Sequence, residues 1–375
     1  MTLRRTLWTA LLGVLGFATA AILVVPTPAH ATVTGFHGAQ GSWGWTDVNG
    51  DGHSDLCGQS GCRLATATGF GATWALSGDL GWAAGRAWMD FNADAKADYC
   101  RVVNSGTFFL QCTVAGTSGF GATYTSGAVD PGYDAGRAWV DVTADYAADY
   151  CRLINSGGYR VQCTLSTRTG FGATFTSGVL DPGYDQGRTW ADVNGDNRAD
   201  YCRIVGSGTK YLQCTLISGN GFGATITSAG LDPGYDDSRR FADVNGDSRA
   251  DYCRIVGSAL YSSTNLRCTL STGTGFGLTF TSPTLDAGYA NTGGWADVNA
   301  DGRQDYCRIV GGPQARCTLS TGSGFGTTFS TPISGYGSLG WTDFDLDYRA
   351  DACRVESGVP RCTLSTGNAF GVTYG

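Results

Sequence analysis

Short apolar segments alternate with glycine-rich turns along most of the chain, and beyond residue 31 no long stretch shows the 3.6-residue period of a helix. The pattern repeats in units of similar length. In one unit it predicts four strands, at 188–193, 201–206, 211–217 and 224–229. Four short strands in a unit of about 50 residues are typical of a propeller blade.

Each unit contains a polar nine-residue loop after its first strand, such as "DVNGDGHSD" at 47–55. The seven copies begin at Asp47, Asp90, Asp141, Asp192, Asp243, Asp297 and Asp343. A linear array of such hairpins would bury too little apolar surface, whereas a ring protects most strand edges. We therefore predict an all-β, seven-bladed propeller over 32–375. Either 32–36 or 370–374 could supply the fourth strand of its last blade.

An aromatic residue precedes the first aspartate of each loop by two positions. On a short inner strand, such a residue is predicted to pack between blades. The seven residues are Trp45, Trp88, Trp139, Trp190, Phe241, Trp295 and Trp341.

The N-terminal 31 residues have the features of an export signal. Arg4 and Arg5 precede an apolar run at 7–25, and Ala29 to Ala31 provide a small-x-small cleavage pattern. The run is also long enough for a membrane anchor. We expect cleavage, a secreted mature protein of 32–375, and no membrane span after cleavage.

The cysteines occur as one pair in each repeat, which agrees with an oxidising compartment. Each pair brackets a predicted hairpin turn, where opposite strands bring two Cβ atoms within bonding distance. Zinc binding is disfavoured because Cys-x-x-Cys and histidine spacings are missing. The predicted disulfides are Cys57–Cys62, Cys100–Cys112, Cys151–Cys163, Cys202–Cys214, Cys253–Cys268, Cys307–Cys317 and Cys353–Cys362.

Positions 1, 3, 5 and 9 of the seven loops, hereafter the carboxylate loops, carry oxygen-bearing side chains. Aspartate fills positions 1, 5 and 9 in every copy, which turn preference alone does not explain. Hard cations such as Ca²⁺ take six to eight oxygen ligands, so each loop is predicted to bind calcium. The ligand sets are Asp47, Asn49, Asp51, Asp55; Asp90, Asn92, Asp94, Asp98; Asp141, Thr143, Asp145, Asp149; Asp192, Asn194, Asp196, Asp200; Asp243, Asn245, Asp247, Asp251; Asp297, Asn299, Asp301, Asp305; and Asp343, Asp345, Asp347, Asp351.

The residue at position 6 ranks the loops, because such loops often need positive φ there. Gly52 and Gly302 suit it best, and Tyr146 suits it poorly. The strongest sites are predicted at 47–55, 192–200, 243–251 and 297–305, and the weakest at 141–149.

A Phe-Gly pair ends the turn before each fourth strand, as at Phe70-Gly71 and Phe222-Gly223. Together with the Trp-x-Asp-Val-Asn-Gly-Asp-Gly-x-x-Asp loop, it resembles the FG-GAP and VCBS repeats. The resemblance covers the mature chain and implies a propeller like those of integrin α chains and secreted fungal lectins. It further implies calcium on the lower face and ligand binding on the upper face.

The segments between repeats are candidates for that upper-face site, as in "DPGYDAGR" at 130–137. Their aromatic rings could stack on sugars, and their charged groups could bind hydroxyls. The same residues could instead be turn formers with a local ion pair. The candidates are Trp82, Tyr133, Asp134, Arg137, Tyr184, Asp185, Arg188, Tyr235, Asp236, Arg239 and Tyr289.

The resulting function prediction is a calcium-stabilised module that binds an extracellular glycan or cell-surface polymer. A protein-binding or adhesive scaffold is the alternative, followed by a calcium-assisted polysaccharide-degrading enzyme. No catalytic residue is predicted, because Gly-x-Ser-x-Gly and His-Glu-x-x-His motifs are missing. No nucleic-acid partner is expected. The formal net charge of −7 does not exclude anionic partners, since seven calcium ions would more than offset it.

Overall fold

A computed structural model describes residues 44–219, 221–257, 264–335 and 337–375 of the chain. The export segment 1–31 and the candidate strand at 32–36 lie outside these residues. The described residues form 28 β-strands and three single-turn 3-10 helices, at Ala83–Gly85, Asp185–Gly187 and Asp236–Ser238. None of the described helices has the length and apolar character required to cross a bilayer.

The strands form seven separate antiparallel sheets, each made of four consecutive strands that pair in sequence order. We number the strands β1–β28 and the sheets as blades 1–7. Blade 1 comprises β1 (Gly44–Thr46), β2 (Asp55–Gly58), β3 (Gly61–Thr66) and β4 (Gly69–Ala75). Blade 2 comprises β5 (Ala87–Met89), β6 (Asp98–Asn104), β7 (Phe108–Ala115) and β8 (Phe120–Thr125). Blade 3 comprises β9 (Ala138–Val140), β10 (Asp149–Asn155), β11 (Tyr159–Ser166) and β12 (Phe171–Thr176).

Blade 4 comprises β13 (Thr189–Ala191), β14 (Asp200–Val205), β15 (Tyr211–Ser218) and β16 (Gly221–Thr227). Blade 5 comprises β17 (Arg240–Ala242), β18 (Asp251–Gly257), β19 (Thr264–Ser271) and β20 (Phe276–Thr281). Blade 6 comprises β21 (Gly294–Ala296), β22 (Asp305–Val310), β23 (Gln314–Ser320) and β24 (Phe325–Pro332). Blade 7 comprises β25 (Gly337–Thr342), β26 (Asp351–Glu356), β27 (Val359–Ser365) and β28 (Phe370–Tyr374).

Burial decreases from the second strand of a blade to the fourth. Every residue of β14 is buried, whereas most residues of β16 are exposed or half-buried. First strands of neighbouring blades contact one another, for example β5 with β9 and β9 with β13. The first strands therefore lie at the centre of the arrangement, and the fourth strands form its rim.

The core lies between blades, where each disulfide packs against the next blade. The Cys57–Cys62 disulfide of blade 1 shares a buried cluster with Trp88 of blade 2. In the same way, the Cys353–Cys362 disulfide of blade 7 packs with Trp45 of blade 1. The last blade thus contacts the first, and the ring is closed. The chain is a seven-bladed β-propeller.

The seven predicted disulfides are confirmed, one in each blade. Each joins directly opposite residues of the second and third strands, with Cα atoms 4.0–4.1 Å apart. Such directly opposite pairs are the closest positions on an antiparallel ladder. The repeat therefore specified the connectivity.

Three strand predictions need correction or completion. The first strand of blade 4 is Thr189–Ala191 instead of 188–193, because Asp192 and Val193 already belong to the carboxylate loop. The fourth strand of blade 4 starts at Gly221 instead of residue 224, because a register shift between Thr215 and Ile217 allows Phe222 to pair with Ile217. At the C-terminus, the predicted strand 370–374 completes the last blade as β28, paired with β27.

Candidate functional site

The order of strands assigns the loops to two faces of the propeller. Since consecutive strands are antiparallel, the carboxylate loops and the turns between third and fourth strands lie at one end of each blade. We call this end the lower face. The hairpin turns between second and third strands, and the connections to the next blade, lie on the opposite, upper face.

All seven carboxylate loops share one backbone conformation. φ is positive in every copy at position 4 (59° to 79°) and at position 6 (63° to 89°). This confirms the positive φ predicted at position 6. Tyr146 adopts it as well, with φ of 67°, although only glycine and, less readily, asparagine tolerate this region at low cost. The poorly suited residue therefore strains its loop without changing the course of the backbone.

The position 1 carboxylate organises the backbone of the loop. In the first copy, Asp47 Oδ1 accepts hydrogen bonds from the N–H groups of Asn49 (3.1 Å) and Gly50 (2.7 Å). Its Oδ2 accepts one from Gly52 N–H, at 2.8 Å. These bonds hold the loop in a compact turn and leave further lone pairs on both oxygens.

The position 9 carboxylate is buried and links the loop to the sheet. Asp55 Oδ2 accepts the N–H of Val48 (2.9 Å), and Oδ1 accepts the N–H of Ala65 in β3 (2.7 Å). Burial raises the Asp55 pKa to about 7, and the negative charges of Asp47 and Asp51 add to the effect. Burial raises the pKa of the other position 9 carboxyls in the same way, to about 7 in Asp98, Asp149, Asp200, Asp251 and Asp305 and to about 8 in Asp351.

The position 5 carboxylates have cationic neighbours that the sequence reasoning missed. Lys96 Nζ lies 3.0 Å from Asp94, and Arg198 lies 3.3 Å from Asp196. The same pairing with a position 7 arginine occurs at Asp247, Asp301 and Asp347. The recurrence of arginine or lysine two residues after the aspartate was the available signal. These cations neutralise part of the charge that a bound metal would otherwise balance.

The last loop brings its carboxylates closest together. Oxygen atoms of Asp343, Asp345 and Asp351 lie within 4.8 Å of one another, which no other three acidic side chains among the described residues achieve. Asp345 Oδ1 is buried and has no hydrogen-bond partner. Burial, followed by the negative charge of Asp347, raises the Asp345 pKa. An all-oxygen cluster with an unsatisfied carboxylate oxygen fits a hard divalent cation. The ranking from sequence did not place this loop among the strongest.

On the upper face, the connection between blades 2 and 3 is fixed by its own arginine. Arg137 donates hydrogen bonds to the carbonyl oxygens of Pro131 (3.0 Å) and Gly132 (2.6 Å). It also forms an ion pair with Asp134, at 2.8 Å. The Arg137 side chain is 1% exposed and that of Asp134 is 69% exposed, so the arginine supports the connection while the carboxylate faces solvent.

Arg188 and Arg239 hold the next two connections in the same manner, paired with the exposed Asp185 and Asp236. Neighbouring connections also contact each other. Arg188 Nη1 donates to Ala135 O (3.2 Å), and the Arg137 guanidinium lies 6.0 Å from the Trp82 ring. The connections before blades 2, 3 and 4 therefore form one continuous surface, hereafter the connection belt.

Four of the five predicted aromatic residues are exposed, Tyr235 is half-buried, and all five lie in different connections. Their exposed fractions are 41% for Trp82, 45% for Tyr133, and 43% for both Tyr184 and Tyr289. Tyr235 donates a hydrogen bond from its hydroxyl to Gly257 O, at 2.8 Å.

Two of these rings pair with aromatics that sequence reasoning missed. Trp82 lies edge-on to Phe108, with centroids 4.7 Å apart, and Tyr133 lies 5.8 Å from Tyr159. Phe108 and Tyr159 each precede the second cysteine of their blade by four residues, which was the available sequence signal. Each pair joins a connection to the hairpin of the blade that follows it.

Blade 7 differs from blades 2–6 because the chain before it has no Asp-x-Gly-aromatic segment like that at Asp181 to Tyr184. In blade 4, buried Arg203 donates from Nε to the carbonyl oxygen of Asp181 in the connection, at 2.7 Å. In blade 7, Arg354 donates instead to Glu356 Oε1, at 2.6 Å. Glu356 Oε2 also accepts from Ser334 (2.6 Å). The single glutamate of the chain thus replaces a missing backbone acceptor.

Comparison with solved structures supports the architecture. An Agrocybe aegerita lectin, described as specifically recognising non-reducing terminal N-acetylglucosamine, matches 78% of this chain and 81% of its own, with a TM-score of 0.56 and 19% identity. The Photorhabdus luminescens Tc holotoxin pore matches 88% of this chain but 16% of its own, with a TM-score of 0.49 and 16% identity. At 19% identity, the likeness to the lectin shows a shared fold and does not show a shared function.

No family model matches the sequence, so membership of the FG-GAP and VCBS families is not established. One curated protein, the NAD(+)–arginine ADP-ribosyltransferase Chelt of Vibrio cholerae, is 33% identical over 141 residues. The match covers 36% of this chain and 23% of that protein. The chain therefore spans less than a quarter of this relative.

Proposed function

We propose that the propeller is a secreted glycan-binding module, stabilised by calcium, whose ligand binds the connection belt of blades 2–4. The observation that carries this proposal is the pairing of aromatic rings there: exposed Trp82 with half-buried Phe108, and Tyr133 with Tyr159, both exposed. Aromatic faces stack on the C–H surfaces of sugars. Because the connections are fixed by buried arginines, the rings lose little freedom when a ligand binds.

Polar groups beside the rings suit hydroxyl-rich ligands. The carboxylates of Asp134 and Asp185 are exposed and can accept hydrogen bonds from sugar hydroxyls. The likeness to a propeller lectin supports glycans as the ligand class. Seven disulfides support an extracellular location, since such bonds persist in oxidising compartments.

Calcium is assigned to the carboxylate loops in this proposal. The side chains at positions 1, 3, 5 and 9 would hold the ion, and bound calcium would supply positive charge that keeps clustered carboxylates ionised. The last loop supports the proposal most directly, through Asp343, Asp345 and Asp351. The oxygens of Asp55 and its equivalents already accept backbone N–H groups of the loop and the third strand. Position 9 would therefore also attach the loop to the sheet.

A binding role is favoured over a catalytic one. On the connection belt, the guanidinium groups of Arg137 and Arg188 are occupied by carbonyl oxygens and aspartates. They are therefore poorly placed to act on a substrate. The activity named for the Vibrio cholerae relative is not proposed here, because the match includes less than a quarter of that protein.

The test is glycan-array binding by the disulfide-bonded protein in calcium, followed by calorimetry with the best ligand. Trp82→Ala combined with Tyr133→Ala should weaken binding by about tenfold or more, because two stacking surfaces are lost. Tyr146→Asn is the matched control, since it removes an exposed tyrosine on the lower face. No glycan binding at all, or equal binding by both variants, would contradict the proposal.

A further inference from the structure

Blades 2, 3 and 4 differ in the hairpin residue that faces the connection aromatic. The N–H groups of Val129, Leu180 and Leu231 donate to the carbonyl oxygens of Phe108 (2.9 Å), Tyr159 (3.0 Å) and Lys210 (2.9 Å), respectively. This shared hydrogen bond shows that the three acceptor residues are structurally equivalent. The position is therefore aromatic in blades 2 and 3 and cationic in blade 4.

The Lys210 ammonium lies beside the hydroxyl edge of the connection tyrosine. Its nitrogen lies 4.2 Å from the centroid of the Tyr184 ring. It donates hydrogen bonds to the Tyr184 hydroxyl (2.5 Å) and to Gly206 O (2.7 Å). An ammonium has three N–H donors, so one stays available to a ligand.

No carboxylate neutralises this ammonium within the described part of the chain. Lys210 forms no ion pair there, whereas Lys96, the only other lysine, is paired with Asp94 at 3.0 Å. The nearby carboxylate of Asp185 is bound by Arg188, at 2.8 Å. Tyr184, which contacts Lys210, is 43% exposed, and Tyr211, the next residue in the chain, is 37% exposed. The upper face of blade 4 therefore presents an uncompensated positive charge beside exposed aromatic surface.

We propose that blade 4 contains a subsite for the acidic group of a glycan, a carboxylate or a sulfate ester, bound by the Lys210 ammonium. The inference rests on the proposed glycan-binding function and assigns different sugar classes to neighbouring blades. Blades 2 and 3 stack neutral sugars on paired aromatics, and blade 4 binds an anionic sugar next to Tyr184. Lys210 is thus a residue that determines specificity.

The experiment compares four oligosaccharides of equal length by calorimetry, with calcium and disulfides intact. They are a neutral N-acetylglucosamine oligomer, a hyaluronan oligomer, its carboxyl-reduced form, and a chondroitin sulfate oligomer. A charge-assisted hydrogen bond should make an acidic oligomer bind about tenfold more tightly than the reduced form. Tighter binding of hyaluronan than of its carboxyl-reduced form identifies the carboxylate as the anion. Chondroitin sulfate carries the same carboxylate and adds a sulfate ester, so tighter binding of chondroitin sulfate than of hyaluronan identifies the sulfate.

Variants assign the effect to one side chain. Lys210→Met should abolish the preference for acidic oligomers and leave binding of the neutral oligomer unchanged, and Lys210→Arg should retain the preference. Arg316→Gln, which removes a charge from β23 of blade 6, is the control for net charge. Tyr159→Lys should transfer a preference for acidic oligomers to blade 3.

The outcomes separate the inference from the function on which it depends. If the neutral oligomer binds but Lys210→Met leaves the acidic preference intact, or wild type shows none, the subsite is overturned and the glycan-binding function stands. If no oligomer binds, both proposals fail. A similar loss of preference in Arg316→Gln would also overturn the subsite, because net charge would then explain the effect.

Discussion

The backbone N–H of Ala97 donates a hydrogen bond to the carbonyl oxygen of Asp47, 2.7 Å away. The two residues occupy position 8 and position 1 of neighbouring carboxylate loops. Five further pairs of adjacent loops are joined in the same way, namely Ala148–Asp90, Ala199–Asp141, Ala250–Asp192, Gln304–Asp243 and Ala350–Asp297. The loops are therefore linked in series along the lower face, and restraint of one loop is transmitted to the next.

Removal of calcium should destabilise the whole ring. At ten times its Kd, each bound ion contributes about 1.4 kcal/mol, and the linked loops should lose this together. We expect EGTA to lower the melting temperature of the disulfide-bonded protein sharply, as measured by scanning calorimetry. Magnesium added in place of calcium is the control. A melting curve unchanged by EGTA would rule out calcium as a stabiliser.

Asp345→Asn should change stability in opposite directions with and without calcium. In EGTA, the substitution removes a buried, unsatisfied carboxylate next to Asp343 and Asp351, so the melting temperature should rise. In calcium, it removes a charged ligand, so the melting temperature should fall relative to wild type. Native mass spectrometry should show one fewer tightly bound ion.

The control for Asp345→Asn is Thr143→Asn, at position 3 of the loop predicted to be weakest. It supplies an amide oxygen where the native side chain is a hydroxyl, and should strengthen calcium binding there if position 3 is a ligand. A fall in stability of Asp345→Asn in both conditions would show that the residue has only a structural role.

Tyr146→Asn should stabilise the protein. Tyr146 has φ of 67°, a region that costs most L-residues about 1–2 kcal/mol and costs asparagine less. Its side chain is 63% exposed, so little packing is lost. We expect a gain of about 0.5–1 kcal/mol in urea unfolding. Tyr159→Asn in a regular strand is the comparison and should not stabilise; equal effects would argue against backbone strain as the cause.

The contribution of Glu356 to stability should be lost in acid. Burial acts to raise its pKa, but hydrogen bonds from Ser334 and Arg354, with the charges of Arg354 and Arg361, lower it overall. A carboxyl with a lowered pKa in the folded state stabilises the protein above the pKa of the unfolded chain. This stabilisation disappears as the pH falls through the folded-state value.

The measurement is the difference in unfolding free energy between wild type and Glu356→Gln. We expect wild type to be more stable near pH 7 and the difference to shrink below about pH 4.5, the usual range for glutamate. The comparison cancels the titration of groups common to both proteins. A difference that is constant from pH 7 to pH 3 would contradict the assignment.

The sequence predicted those features that depend on repetition. One cysteine pair around each hairpin specified the disulfides, and the aromatic residue before each loop predicted packing between blades. Features that depend on departures from the repeat were missed. Nothing local in sequence shows that Glu356 replaces a carbonyl oxygen of a connection; this becomes visible only when the hydrogen bonds of different blades are compared. Lys210 precedes the second cysteine of its blade by four residues, as Tyr159 does, but the sequence does not show that its ammonium contacts Tyr184.

Every blade among the described residues is built from one uninterrupted stretch of chain, including the first and the last. No strand is exchanged across the junction between β1–β4 and β25–β28, where Trp45 and the Cys353–Cys362 disulfide pack as at other junctions. The junction between β28 and β1 is therefore equivalent to the junctions between the other blades. A circular permutant of residues 44–375 would join residue 375 to residue 44 by a linker and open new ends between two other blades. Each blade would keep its four strands and its own disulfide.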